Sequence, residues 1–426
     1  MVERGGFGYQ RRVAVSDRDA MLRPDRSTGL VGRYMELPSP TDRVAKGLER
    51  RVREGSPLGH GRASVEFVAG QAAWGVLLDG ARATLVPGRL TRADTVVQAD
   101  ALTLARVLDG EESGMYAFLD GRLRIRGNLA LALRLEGVDD PARPVAFPRA
   151  RTTMVGDVET FYLEAGRGPA AVLLHGLGAT NASMLPTIAE LASDHRVLAP
   201  DLPGFGDSGK PVRAYDPAFY ATWLRGFLDA VGVERAVVVG NSMGGRIALE
   251  VGLTAPERVD ALVLYSPSLA FIKFREATPL VRILAAELGG MPMVAPRPLV
   301  MAVLRMMFSR PERLPDAWYD AAVDEFQRVF ASARGRMAFF SAARQIYLEE
   351  AAGEHGFWER LPGLATPALF LWGDRDQLVP CKFARHVTAA LPAVTSVVLD
   401  DCGHVPQFEQ PARTHALVRE FLAAAR

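Results

Sequence analysis

"VVVGNSMGGRIALEVG", residues 237–252, decides how this chain is read. Three valines run into Gly240 like a buried strand, and Gly244 and Gly245 open a stretch with helical character. Ser242 sits at the seam. A serine on so sharp a strand-to-helix turn must adopt a strained backbone to project its hydroxyl. The residues two before and two after it are then pressed together, and glycine at 240 and 244 meets that need. Gly240-Asn241-Ser242-Met243-Gly244 thus fits G-x-S-x-G, the pattern of a presented nucleophile. The helix starting here aims its first amides, with their partial positive charge, at the hydroxyl. The Met243 N–H falls where an oxyanion would develop.

A serine hydroxyl needs a base to become a nucleophile. Among the seven histidines the candidate is His404, in "DDCGHVPQFEQP". It follows the last apolar run, where a loop returns over the carboxyl edge of an open sheet and ligands collect. "LFLWGDRDQLVP" places Asp374 and Asp376 directly after the preceding run, as carboxylates to orient the histidine. Nucleophile, acid and histidine follow in that chain order. His175 opens "HGLGAT" after an earlier apolar run. The backbone there is expected to give the second oxyanion donor, the Leu177 N–H ahead of that of Gly178. Asp201 and Asp207, in "DLPGFGDSG", read as loop-shaping. His175 reads as structural, and His355, His386 and His415 as surface residues.

Around these motifs the chain alternates apolar runs with amphipathic ones. "AAVLLHG", "RVLAPD", "RAVVVG", "DALVLYS", "PALFLWG" and "TSVVLD" suit strands covered on both faces. The rhythm predicts a doubly wound, mostly parallel α/β sheet. Between residues 266 and 356 it gives way to a helical, apolar insert holding six of the thirteen methionines. "HGLGAT", "DLPGFGDSGKP", "GNSMGG", "WGDRDQLVP" and "CGHVPQFEQP" stand in the order of the α/β-hydrolase family, which residues 152–426 resemble. The resemblance implies that Ser242, Asp376 and His404 form the catalytic triad, and that Asp374 stabilises its turn. It makes 266–356 a cap, whose methionines read as core or as the wall of an apolar pocket. Asp at 242 would have pointed to epoxide or haloalkane chemistry. "GNSMGG" also resembles the carbon–carbon bond hydrolases of aromatic-ring breakdown, but those carry Trp after the histidine and this chain has Val405.

The N-terminal part reads differently. Residues 1–40 are rich in Arg, Gly and Asp and suit a flexible arm. "TDRVAKGLERRV" predicts a helix capped by Thr41 or Asp42. "ASVEFVAG", "AAWGVLLDG", "ARATLVPG" and "DTVVQAD" predict an antiparallel meander. "LALALRL" alternates like a strand yet is made of good helix formers behind Asn128, a good N-cap. "DALTLARVLDGEESGMYAFLDGRLRIRGNLALALRL" resembles the sterol carrier protein 2 (SCP2) family. That implies an α+β domain over 41–138 with an apolar tunnel for a sterol or fatty acyl ligand, and it makes "LALALRL" a helix. "DDPARPVAFPRAR", 139–151, holds three prolines and reads as a linker.

Composition bounds what is left. At 426 residues the chain is long for one core, and 50 basic against 49 acidic residues gives no support to a nucleic-acid partner. Residues 1–62 carry 13 Lys+Arg against 8 Asp+Glu, a balance that would also suit acidic lipid headgroups at a membrane surface. Two cysteines, Cys381 and Cys402, make neither a disulfide framework nor a metal motif. With no secretory leader evident, this suits a cytoplasmic protein. The expected function is cofactor-free hydrolysis of a lipophilic ester or thioester. Its alternatives are a carbon–carbon bond hydrolase and a lipid carrier without catalysis.

Overall fold

The computed structural model describes residues 38–56, 61–136, 148–270 and 286–425. The expected arm (apart from 38–40) and linker residues 139–147 lie outside the described residues.

The Val- and Leu-rich runs after residue 61 form a five-stranded sheet in the order β3-β2-β1-β4-β5. Its strands are β1 (Arg62–Ala69), β2 (Ala72–Asp79), β3 (Arg82–Pro87), β4 (Thr95–Ala99) and β5 (Arg124–Gly127). Helices α1 (Pro40–Glu54), α2 (Ala101–Asp109), α3 (Gly114–Leu119) and α4 (Leu129–Glu136) cover it. The meander expectation holds for β1 to β3 and fails at β4, which lies parallel to β1. The crossover is made by residues 88–94, which return from β3 at one edge across β2 and β1 to β4. The return segment is pinned across the sheet by the Leu90 N–H donating to Glu66 Oε2 at 2.7 Å.

Of two other local expectations, the α1 cap shifts and the α4 helix holds. Ser39, not Thr41 or Asp42, caps α1, its Oγ accepting the Asp42 N–H at 3.1 Å. Pro40 lacks an N–H and suits the first helical turn, so the helix begins ahead of the expected cap. "LALALRL" is helix α4, and Asn128 Oδ1 accepts the Leu131 N–H at 3.0 Å. Its strand-like alternation has a physical cause: Leu129, Ala130, Leu131 and Leu133 are all buried, so the helix is covered nearly all round.

From Arg149, three residues inside the expected linker, a second sheet begins. Its strands are β6 (Arg149–Val155), β7 (Val158–Ala165), β8 (Ala170–Leu174), β9 (Arg196–Pro200), β10 (Ala236–Asn241), β11 (Val259–Tyr265), β12 (Ala368–Gly373) and β13 (Thr395–Leu399). The order is β13-β12-β11-β10-β8-β9-β7-β6, with β8 to β13 parallel and β6 and β7 antiparallel at one edge. Helices α5 (Leu185–Leu191), α6 (Pro217–Ala230) and α7 (Met243–Thr254) follow β8, β9 and β10. The cap is built from helices Arg297–Met306, Asp316–Ala331 and Ala333–Leu348.

Alternate residues of these strands go to opposite faces. Val172, Leu174, Val238, Leu262 and Phe370 join a core under α6 and α7. Leu173, Val239, Val263 and Leu371 join a core that continues without a break into Leu104, Phe118, Ile125 and Leu133 of the first sheet. The N-terminal domain is therefore part of one packing unit with the hydrolase sheet. Polar contacts fix the same junction. Trp318 Nε1 donates to Phe118 O at 2.9 Å, and Tyr116 Oη donates to Ala189 O at 3.1 Å. Asp324 of the cap accepts from Arg126 Nε at 2.8 Å, from the Gly127 N–H at 2.8 Å and from Arg297. No helix among the described residues is long and apolar enough to cross a membrane.

His415 corrects an expectation. It is 2% exposed, wedged between the last helix and α5, with Nε2 3.3 Å from Thr187 Oγ1. Its spacing on an amphipathic helix did not separate surface from interface, because α5 covers that face.

Two predictions follow from burial. Burial alone would raise the Asp324 carboxyl, but its bonds from Arg126, Gly127 and Arg297 more than offset this and hold it below the ordinary carboxylate range. Asp324→Ala should cost roughly 1–3 kcal/mol, read from urea midpoints at neutral pH. The deficit should shrink in acid, since a depressed carboxyl loses its stabilising effect as pH falls through its folded value. Burial pushes His415 down to about 4. The unfolded chain therefore takes up a proton there near pH 6.5 that the native state refuses, and stability falls as pH drops from 6.5 toward 4. Between about pH 7 and pH 5, His415→Gln should lose up to about 2 kcal/mol less stability than the parent. Identical pH slopes for the two proteins would contradict this.

Candidate active site

Ser242 holds φ 54° and ψ −115°, a left-handed backbone that non-glycine residues rarely adopt. Three bonds secure it. Its N–H donates to Tyr265 O at 2.9 Å, and its carbonyl accepts from Ser268 N at 2.9 Å and Arg246 N at 3.1 Å. The flanking glycines are required by space: a Cβ on Gly240 would lie 2.4 Å from the Gly244 carbonyl carbon, and one on Gly244 2.2 Å from Leu174 O. Met243 is the first residue of α7, so its N–H has no partner within the helix.

Leu177 and Gly178 form the turn after β8, closed by Ala179 N donating to Gly176 O at 3.2 Å. This turn abuts the serine, for a Cβ on Gly176 would sit 3.3 Å from Ser242 Cβ. His175 is buried behind it. Its Nδ1 donates to Gly176 O at 2.8 Å, and its Nε2 accepts the Leu202 N–H at 2.9 Å. Burial holds it neutral by pushing its pKa down to about 4.

Asp376 and His404 come together from the ends of β12 and β13. His404 Nδ1 lies 2.7 Å from Asp376 Oδ2, and both side chains are buried. The other oxygen, Oδ1, accepts from the Leu378 and Val379 N–H groups at 2.8 and 2.9 Å, which fixes the carboxylate in orientation. Asp374 does something else: its Oδ1 accepts the Cys402 N–H at 3.1 Å and so ties the two loops together. Asn241 links the serine turn to the histidine loop, its Nδ2 donating to Tyr265 O at 3.0 Å and to His404 O at 3.2 Å.

The cap closes over this edge. The His404 N–H donates to Met307 O at 2.7 Å, just past the helix Arg297–Met306. Phe326 and Phe339 pack on the Leu177–Gly178 turn, so a Cβ on Gly178 would meet their rings at 3.1 and 3.0 Å. With Phe330 they form a cluster of ring pairs 5.3 to 5.8 Å apart. The phenylalanines were not singled out from sequence, although Phe326 and Phe330 share one helical face. The methionine expectation holds only in part. Met291 and Met293, ahead of the first cap helix, are 53% and 39% exposed, and that helix turns Leu299, Val303 and Met306 outward, Met306 being 38% exposed.

Asp201 and Asp207 shape the neighbouring loop. Asp201 accepts the Asn181 and Asp207 N–H groups, both at 2.8 Å. Burial, with help from the Asp207 charge, pushes the Asp201 carboxyl up to about 7. His355 and His386 are exposed.

Comparison with known proteins gives the families of the two domains. The alpha/beta hydrolase fold family matches residues 169–411, and the SCP-2 sterol transfer family matches residues 60–140. An uncharacterized protein of Mycobacterium tuberculosis is 29% identical over 304 residues, spanning 66% of this chain and 83% of its own length. The 2-hydroxymuconate semialdehyde hydrolase of Pseudomonas sp. strain CF600 is 31% identical over 283 residues, spanning 65% of this chain and 94% of that enzyme. The crystal structure of a membrane phospholipase A, a bacterial virulence factor, superposes with a TM-score of 0.56 at 29% identity, covering 66% of this chain and 88% of that one. The chain belongs to the alpha/beta hydrolase fold family, with an SCP2 domain ahead of its hydrolase domain.

Proposed function

We propose that the protein is a serine hydrolase that cleaves a lipophilic carboxylic ester or thioester through an acyl-enzyme. The observation that carries this reading is the strained Ser242 turn at the same sheet edge as the buried Asp376–His404 pair. Asp376 occupies Nδ1 of the imidazole, which leaves Nε2 as the base for Ser242 Oγ. Oγ attacks the carbonyl carbon while His404 takes its proton. The oxyanion is held by the Met243 and Leu177 N–H groups. His404 returns the proton to the departing alcohol or thiol, and an acyl–Ser242 ester remains. Water, deprotonated by His404, then releases the acid.

The lipophilic preference is supported by the phenylalanine cluster over Gly178, since a turn that holds the acyl carbonyl is walled by aromatic carbon. The phospholipase likeness and the SCP2 domain point the same way. A second reading, carbon–carbon bond hydrolysis, is favoured by the 31% identity with the muconate semialdehyde hydrolase. It would use the same serine, and Val405 in place of the tryptophan of that class counts against it.

Ser242→Ala in the full chain should cut p-nitrophenyl ester turnover by roughly 10⁴- to 10⁶-fold with an unchanged thermal transition. Retention of a tenth of the parent rate would rule Ser242 out as nucleophile. A faster parent rate on a ring-fission dienone than on a long-chain ester would favour the second reading.

The two aspartates give an independent check. Asp376→Asn should lower kcat by about 10⁴, because the amide favours the wrong imidazole tautomer. Asp374→Asn should lower it far less, and equal losses would reverse the assignment.

A further inference from the structure

Between the first sheet and α4 lies an apolar cavity with about 830 Å³ of empty space, its open mouth included. Leu129, Leu133 and Leu135 of α4 line one side, and one wall residue, Leu185, comes from the hydrolase domain. Leu185 starts α5, eight residues after Leu177 in the oxyanion turn. A single short segment therefore borders both the cavity and the place where the acyl oxygen would sit.

A second connection runs beside it. Arg134, next to the cavity-lining Leu133 and Leu135, crosses to the hydrolase domain. Its guanidinium lies 4.2 Å over the Phe161 ring, and Nη2 donates to Asp207 Oδ2 at 3.1 Å. The Asp207 N–H donates to Asp201 Oδ2, and Asp201 Oδ1 holds the Asn181 N–H, each at 2.8 Å. Asn181 begins the turn of helix that leads from the oxyanion loop to Leu185. Both routes thus start at the cavity wall and end on residues 177–185. The environment is close-packed: a Cβ on Gly206 would lie 2.0 Å from Asp201 Oδ2. Asp207, which Arg328 also holds with Nη1 2.8 Å from Oδ1, is tied to Asp201 through its own N–H.

We infer that the N-terminal domain positions the oxyanion loop through Arg134–Asp207 and Leu185, so that an amphiphile with one alkyl chain in the cavity raises kcat at Ser242. The alkyl chain presses outward on α4 and Leu185 and sets residues 177–181 against the serine. Arg134 is a positioning residue in this scheme and touches no substrate. The inference rests on the serine-hydrolase reading and on the cavity taking an alkyl chain.

The test uses the full chain with p-nitrophenyl acetate as substrate and palmitic acid as the probe amphiphile, below its aggregation concentration. Binding is followed separately by displacement of a fluorescent fatty-acid analogue. In the parent protein, kcat should rise about fivefold or more, within the ordinary range of coupling between sites, and saturate over the range in which the dye is displaced. An effect on KM alone is competition at Ser242 and overturns the inference. Arg134→Ala should bind the dye like the parent but lose most of the rise in kcat. Arg134→Lys, which keeps the charge, should retain part of it. An equal rise in the parent and Arg134→Ala would overturn the assigned route. Dye binding without any rise in the parent would overturn the coupling while leaving both the hydrolase and cavity readings standing. Absence of dye binding would overturn the cavity reading and the inference with it, whereas absence of ester turnover in the parent would overturn the hydrolase reading.

Discussion

The turn at Ser242 leaves no room for a side chain on either flanking glycine, and much of the hydrolase domain is arranged around that crowding. Gly244 presses on Leu174 O at the end of β8, and Gly240 presses on Gly244. A backbone held this tightly cannot relax the strain at φ 54°, and the Tyr265 and Ser268 bonds remove the remaining freedom. Strand β8, strand β10 and helix α7 must therefore meet at a single point. The loop after β8 reaches the serine for the same reason that the glycines are there.

The Asp376–His404 pair at the serine's sheet edge is itself held in place. Asp376 has every acceptor direction that the structure uses filled by Leu378, Val379 and His404. Asn241 and Met307 hold the backbone on both sides of the imidazole. The cap is thereby more than a cover, because its first helix ends on a carbonyl bonded to the histidine loop.

Much of this was legible in the sequence because it is carried by local patterns. The G-x-S-x-G spacing follows from a steric rule that acts within five residues, and uniformly apolar runs announce strands covered on both faces. The two carboxylates of "GDRD" were harder: spacing left both open, resemblance chose Asp376, and in three dimensions it is Asp376 that bonds His404 while Asp374 bonds Cys402. What escaped was set by partners distant in the chain. His415 is buried because α5 happens to cover it, and β4 is parallel because residues 88–94 carry the chain back across the sheet from β3 to the free side of β1. The Arg134–Asp207 pair joins residues 73 apart on two domains, and neither residue carries a local signal of it.

The continuous core between the two domains bears on how the protein is made. The hydrogen bond from Trp318 to Phe118 joins positions 200 residues apart. At about 5–20 residues per second, the ribosome delivers the second partner roughly 10 to 40 s after the first. Throughout that interval Phe118 stands without the indole that caps it, although Ala189 reaches Tyr116 and Asp207 reaches Arg134 of α4 only 73 residues after them. The first domain therefore leaves the ribosome with an apolar side that is covered in stages, and the Phe118 contact closes only when the last third of the chain arrives.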